Sequence, residues 1–243
     1  MRMMTFAKRN FKEIVRDPLN LAFLFGFPVV LLLLLSAIQA NIPVSMFEIV
    51  RLAPGVAVFG LAFMTLFSAT LIAKDRQSSF MQRLYTTPMM PADFILGYTL
   101  PLIPIAIAEG VVSYIFAMIL GLKISVNILL SLVLIIPIAL LYIGIGLLCG
   151  SVLNDKQVGG ICGALLTNLS AWLSGIWFDL DLVGGVFKKI AYALPFVHAV
   201  ELERAAVSGN LDGALTHLLV VLAYALLAFG AAVVIFLRRM KRV

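Results

Sequence analysis

Apolar residues in this chain come in long blocks. Six runs, Leu19 to Ile38, Ala53 to Ala73, Ile95 to Leu120, Ile128 to Gly150, Val158 to Phe178 and Ala214 to Phe236, hold a single Asp, Glu, Lys or Arg between them, Glu109. About 20 apolar residues carry an α-helix across the hydrocarbon core of a bilayer. Inside that core a backbone must satisfy its own polar groups, which selects helices for segments of this length. The expected architecture is therefore an all-α polytopic membrane protein with six transmembrane helices. Composition agrees: 63% of the residues are hydrophobic and 12% charged, against about 25% charged in soluble domains. Pro28, Pro101, Pro104 and Pro137 fall inside the runs, where neighbouring helices re-satisfy the backbone groups that proline frees.

Thirteen of the 18 Lys and Arg residues lie in segments 1–18, 74–94, 151–157 and 237–243. The alternate segments, 39–52, 121–127 and 179–213, hold five. The positive-inside rule then places the first set, and both termini, in the cytoplasm. The basic balance thus reflects membrane topology and does not point to nucleic acid. The first apolar run is longer than a signal-peptide core and no clean A-x-A site follows it, so it is expected to stay as a span. Cys149 and Cys162 fall at the cytoplasmic ends of neighbouring spans, which argues against a disulfide framework.

Ahead of the first span, Met4, Ala7, Phe11, Ile14 and Val15 recur at helical spacing, with Lys8, Arg9, Lys12, Glu13 and Arg16 on the other face. That pattern predicts a basic amphipathic helix in the membrane interface over residues 1–18, stopped before Pro18. Between the second and third spans lies KDRQSSFMQRLYTTPMMPAD, residues 74–93. Phe80, Met81, Leu84 and Tyr85 form one apolar stripe at helical spacing, the rest is polar, and Pro88 ends the helix. Such a helix lies on lipid or docks into a groove on a partner; periodicity does not separate the two.

This stretch resembles the cytoplasmic loop of ABC-2 type transporter permeases, the membrane subunits of ATP-driven exporters. The resemblance rests on Asp75-Arg76, Arg83-Leu84, Thr86-Thr87-Pro88, Pro91, Asp93 and Gly97 in that order. The sequence departs at Ser79 and Phe80, where the family usually has glycine and threonine. Arg16-Asp17-Pro18 before the first span, Ala53-Pro54-Gly55 at the start of the second, and Pro195 and Arg204 before the last are similar to the family as well. The likeness covers nearly the whole chain.

It implies that residues 74–93 form a coupling helix seated in a cleft of an ATPase subunit. Phe80, Met81, Leu84 and Tyr85 would then supply contact area, and Arg76 and Arg83 orientation. The loop SVLNDKQ, with Asn154, Asp155 and Lys156, makes a second, smaller contact or is a solvated turn. No G-x-x-x-x-G-K-[ST] phosphate loop occurs in the sequence. ATP and Mg are accordingly expected on a separate nucleotide-binding subunit, with no cofactor on this chain. Six spans are half an exporter of this kind, so a homodimer or heterodimer of permeases in the cell membrane, such as a prokaryotic inner membrane, is implied. Gly146 with Gly150 and Gly159 with Gly163 offer faces for close helix packing, between subunits or within one.

Glu109, near the middle of the third span, sits where a charge is costly and turned inward. It attracts a cationic substrate, carries a proton, or pairs structurally. Thr167, Asn168, Ser170 and Ser174 form a polar patch on the fifth span, read first as interhelical hydrogen bonding. The resemblance adds a translocation pathway along the second and fifth spans, so Asn168 and Ser170 join Glu109 as tentative pathway residues. Residues 179–213 are amphipathic and broken by glycines and Pro195; by resemblance they are short external re-entrant helices that shape an exit. His198 and His217 look isolated and carry no metal-ligand spacing.

A self-sufficient ion-coupled carrier or channel using Glu109 is the alternative from another class, though no inverted repeat is visible. A membrane enzyme ranks below both, because no Ser/His, paired Asp or HExxH set occurs. Short early external loops argue against a large folded cargo. Drugs, antibiotics, lipid-linked molecules, hydrophobic peptides and sodium ions stay open.

Overall fold

The computed structural model describes residues 2–42, 45–78, 80 and 90–240. Among these the protein is all-helical. Helix α1, Arg2–Val15, precedes α2, Pro18–Asn41, in which a π-helical stretch, Ala22–Gly26, comes just before Pro28. Proline lacks the N–H that would continue the ladder, and a local change of winding absorbs that gap. The junction shows why Arg16-Asp17-Pro18 starts a span. The Asp17 carboxylate accepts the Asn20 backbone N–H at 3.2 Å and its amide at 2.7 Å, with Pro18 in the first turn.

Helix α3, Ile49–Gln77, follows; then α4, Pro91–Thr99, and α5, Leu102–Ile119, separated by a turn at Leu100 and Pro101. Pro91 occupies the first turn of α4, and the Asp93 carboxylate accepts the Met90 backbone N–H at 2.9 Å. The Pro-x-Asp motif is thus a helix start. Helix α6, Asn127–Val152, leads to α7, residues 155–172, which is π-helical over Gly159–Leu166. Three short helices, α8 (Leu180–Val183), α9 (Gly185–Ala193) and α10 (Pro195–Ser208), precede α11, Ala214–Met240.

Five helical stretches among the described residues are long and apolar enough to cross a membrane: Pro18–Asn41, Ile49–Gln77, Ala92–Ile119, Asn127–Val152 and Ala214–Arg238. The apolar run Val158 to Phe178 is realised as the shorter α7 and a turn, with Gly175 in the left-handed region at φ 71°.

The bundle is built around α3. Its apolar window is 89% buried, whereas those of α2 and α11 are 22% buried. Helix α6 is its main neighbour, and α5, α2, α7 and α10 complete the enclosure. Small residues allow this, because packing within lipid depends on close backbone approach more than on water exclusion. A Cβ on Gly150 would lie 2.6 Å from the Ala69 carbonyl oxygen, and one on Gly146 would overlap Ser68 Oγ. At the same seam Thr65 Oγ1 donates to the Tyr142 carbonyl at 3.0 Å, and Ser68 Oγ reaches those of Met64 and Ile143. Gly146 and Gly150 therefore serve packing within one chain. Gly159 and Gly160 have no atom within 4 Å of where a Cβ would sit.

Candidate functional site

Three sectors run along α1. Phe6, Ala7, Asn10 and Ile14 are buried against the bundle; Met4, Phe11 and Val15 are exposed; Lys8, Lys12 and Arg16 are exposed beside them. The sequence suggested two faces. The third exists because the helix packs on α4 while still presenting an apolar strip and a basic strip. A helix between protein, lipid and headgroups needs that division.

The seam between α1 and the rest is specific. Arg9 Nη1 lies 2.7 Å from Asp75 Oδ2, and Tyr98 donates its phenol to the same oxygen at 2.9 Å. The Asp75 side chain is 3% exposed, so its charge is held by these two partners. Arg9 is also paired with Glu13 and lies over the Phe80 ring at 4.5 Å. Asn10, fully buried, donates to the Gly97 carbonyl at 3.0 Å. Phe6 packs against Phe80, Phe94 and Tyr98, with ring centroids 4.9–6.2 Å away. Gly97 leaves room for that ring, since a Cβ there would overlap it. One aromatic and ionic knot thus joins α1, the end of α3, Phe80 and α4.

Arg76 ties in the neighbouring loop. Its Nη1 donates to the carbonyls of Gly150 at 2.6 Å and Leu153 at 3.2 Å, the last turn of α6. A cation suits these carbonyls, where the helix dipole is negative. Beyond them Asn154 and Gln157 form a reciprocal capping box at 2.9 and 3.1 Å. Asp155 stands in the first turn of α7, a favourable place for an anion. Of the sequence's candidate docking residues, Arg76, Phe80 and Asp155 are placed by the structure at this one end. Met81, Arg83, Leu84 and Tyr85 lie outside the described residues.

The tentative pathway residues are dispersed. Glu109 is buried where α5 meets α3 at Gly60; its Oε1 accepts from Ser113 at 2.8 Å. Ser170 is buried and shares a 2.7 Å hydrogen bond with the Tyr142 hydroxyl. Asn168 is on the surface of the protomer, with its amide on the Ala164 carbonyl at 2.8 Å, beside exposed Leu165, Leu169 and Trp172.

At the far end, Arg204 clasps three elements: the Gly175 carbonyl at 3.0 Å, the Arg51 carbonyl at 3.4 Å and Glu201 at 2.8 Å. His198 and His217, isolated in the sequence, meet here with Nδ1 atoms 2.8 Å apart. His198 Nε2 donates to the Tyr192 carbonyl at 3.0 Å, and one hydrogen, from either ring, lies between the two Nδ1 atoms. Nineteen residues separate the two, so no local pattern announced the pair. Nor did sequence reading single out Arg9 with Asp75, or Glu203. Glu203 had a signal: it falls in register with buried Phe196, Val200 and Val207 on α10, a carboxylate on the core stripe. Cys149 and Cys162 are free thiols, Cys162 buried near Ala69, Ala73 and Val158.

Comparison with known families matches residues 1–207 to the ABC-2 type transporter family. Comparison with curated proteins finds no match.

Proposed function

The chain belongs to the ABC-2 type transporter family and is a multi-pass membrane permease of an ABC transporter; we propose that it is the pathway-forming subunit of an exporter driven by a separate ATPase. In this reading α7 is the sixth span, both termini face the cytoplasm, and α8 to α10 are the external re-entrant segment. Two permeases assemble, as a homodimer or a heterodimer, and the ATPase subunits hold ATP and Mg. Exposed Asn168 with Leu165, Leu169 and Trp172 supports α7 as the helix that meets the second permease. The substrate is a small hydrophobic or amphipathic molecule: a drug, an antibiotic, a peptide or a lipid-linked compound.

One observation carries the coupling: the Arg9–Asp75–Tyr98 knot makes α1, the base of the docking loop and the end of α3 a single body. Helix α3 is the one that the others enclose. A push that reaches Asp75 and Arg76 at the end of α3 is therefore delivered to the helix at the centre of the bundle. The further docking residues of this reading are Met81, Arg83, Leu84 and Tyr85.

The test is co-purification with the ATPase subunit. Leu84→Asp puts an unpaired charge in the docking stripe, where desolvation costs on the order of a few kcal/mol. Association and stimulated ATPase activity are expected to fall while membrane insertion stays normal. The permease purified alone is expected neither to bind nor to hydrolyse ATP. Unchanged co-purification of the variant, or tight nucleotide binding by the isolated chain, would refute this reading.

A further inference from the structure

Glu203 stands on α10, outside the long spans, yet it is 0% exposed. Its Oε2 accepts the Tyr114 hydroxyl of α5 at 2.9 Å and is in contact with Ser131 Oγ of α6. Ser131 Oγ and the Tyr114 hydroxyl are themselves 2.5 Å apart. Three oxygens from three helices thus touch one another pairwise.

Each close O···O contact needs one hydrogen between its atoms. Tyrosine and serine supply two, and there are three contacts. A proton on Glu203 supplies the third, and the ring then closes with every contact filled and no ion required. A second observation points the same way. Glu203 Oε1 and Glu109 Oε2 are buried without a hydrogen-bond partner, a costly state for an ionised carboxylate. Among the described residues no cation forms an ion pair with Glu203. The titratable groups facing it are Tyr114 and, farther off, Glu109, both of α5. On the other elements packed against α10, Arg51 of α3 gives its carbonyl to Arg204, and His217 of α11 bonds to His198. On α10 itself Arg204 is paired with Glu201.

We propose that Glu203, Tyr114 and Ser131 form a proton-binding site that locks α10 against α5 and α6. The docked helix holds a neutral glutamic acid; when α10 lifts and the carboxyl is wetted, the proton leaves to water. Burial pushes the docked carboxyl up to about 8, with the two hydroxyls pulling the other way. A glutamate in water titrates near about 4.3. Docking is then at full strength below about pH 4.3 and weakens roughly tenfold per pH unit above it, levelling off past about pH 8. The medium bathing this end of the bundle would set how readily the segment opens.

The experiment uses the full chain in lipid nanodiscs, titrated from about pH 5 to pH 10. Infrared difference spectra follow the carbonyl stretch of protonated carboxylic acids, and hydrogen exchange, corrected for intrinsic rates, follows α10. Wild type should show an acid band at neutral pH that disappears with a midpoint near about 8, and α10 protection that falls as pH rises. Glu203→Gln should remove that band and flatten the pH dependence of α10, while Glu109→Gln should leave both in place. Should Glu203→Gln fail to fold, Tyr114→Phe keeps the acid and removes the hydroxyl that donates to Oε2 and favours the anion, so the midpoint should move up. The proposal is overturned by a wild-type band missing at neutral pH, by a band that survives Glu203→Gln with its titration unchanged, or by a midpoint that stays or falls in Tyr114→Phe.

Discussion

Removing the Asp75 carboxylate should loosen α1 more than any exposed substitution on that helix. In Asp75→Ala, Tyr98 loses the acceptor at 2.9 Å and Arg9 loses the partner at 2.7 Å. Taking the carboxylate acceptor away from a buried hydroxyl costs about 1–3 kcal/mol. The Arg9 side chain is 37% exposed and keeps Glu13 and the Phe80 face, so solvent screening limits its share to about 1 kcal/mol. Together these give about 2–4 kcal/mol for the docking of α1. At about 1.4 kcal/mol per factor of ten, that is a 30- to 700-fold rise in its opening. Asp75→Asn keeps an acceptor for Tyr98 and loses only the charge, so about 1 kcal/mol, near fivefold, is expected. Hydrogen exchange of α1 amides in nanodiscs reads the opening directly. A cycle with Arg9→Ala should give a coupling of about 1 kcal/mol. If exchange of α1 in Asp75→Ala stays within about threefold of wild type, a shift of under ~0.7 kcal/mol, the knot does not hold the helix and the single-body account of α1 and α3 fails.

Gly150→Ala meets the Ala69 carbonyl oxygen and Cα at 2.6 and 2.8 Å, backbone that cannot swing aside; it should destabilise the α3–α6 seam by about 1–3 kcal/mol in unfolding titrations. Gly159→Ala meets nothing within 4 Å in its own chain and should leave protomer stability within about 0.5 kcal/mol. Glu109→Gln keeps the Ser113 contact and the size, so ATP-driven export should fall no more than a few-fold. Wild-type transport that runs on a proton gradient without ATPase and is abolished by Glu109→Gln would make the chain an ion-coupled carrier.

Five of the six apolar runs were legible as long helices because lipid imposes length and hydropathy together, and neither depends on which neighbour a helix meets. The ends of the helices were less so. Helix α3 runs from Ile49 to Gln77, beyond the apolar run Ala53 to Ala73, because Asp75 and Arg76 find buried or carbonyl partners and the helix continues through them. Pairings across the fold were the least legible. Asp75 with Arg9, His198 with His217 and Glu203 with Ser131 join residues 66, 19 and 72 apart, and no local periodicity encodes such distances. Gly146 and Gly150 show the same limit: their spacing announces a close approach without saying which helix makes it.

The enclosure of α3 bears on how the protein is made. Helices leave the insertion machinery in chain order, so this one enters the bilayer when α2 is the one long neighbour already made. Thr65 waits 77 residues for the Tyr142 carbonyl, and Ser68 waits 75 for that of Ile143. Until α6 arrives, the face of α3 that carries Thr65, Ser68 and Ala69 stands open to lipid. A chain halted before α6 would present that unfinished face to quality-control proteases, and lesions in α6 should shorten the lifetime of the newborn protein by exposing α3.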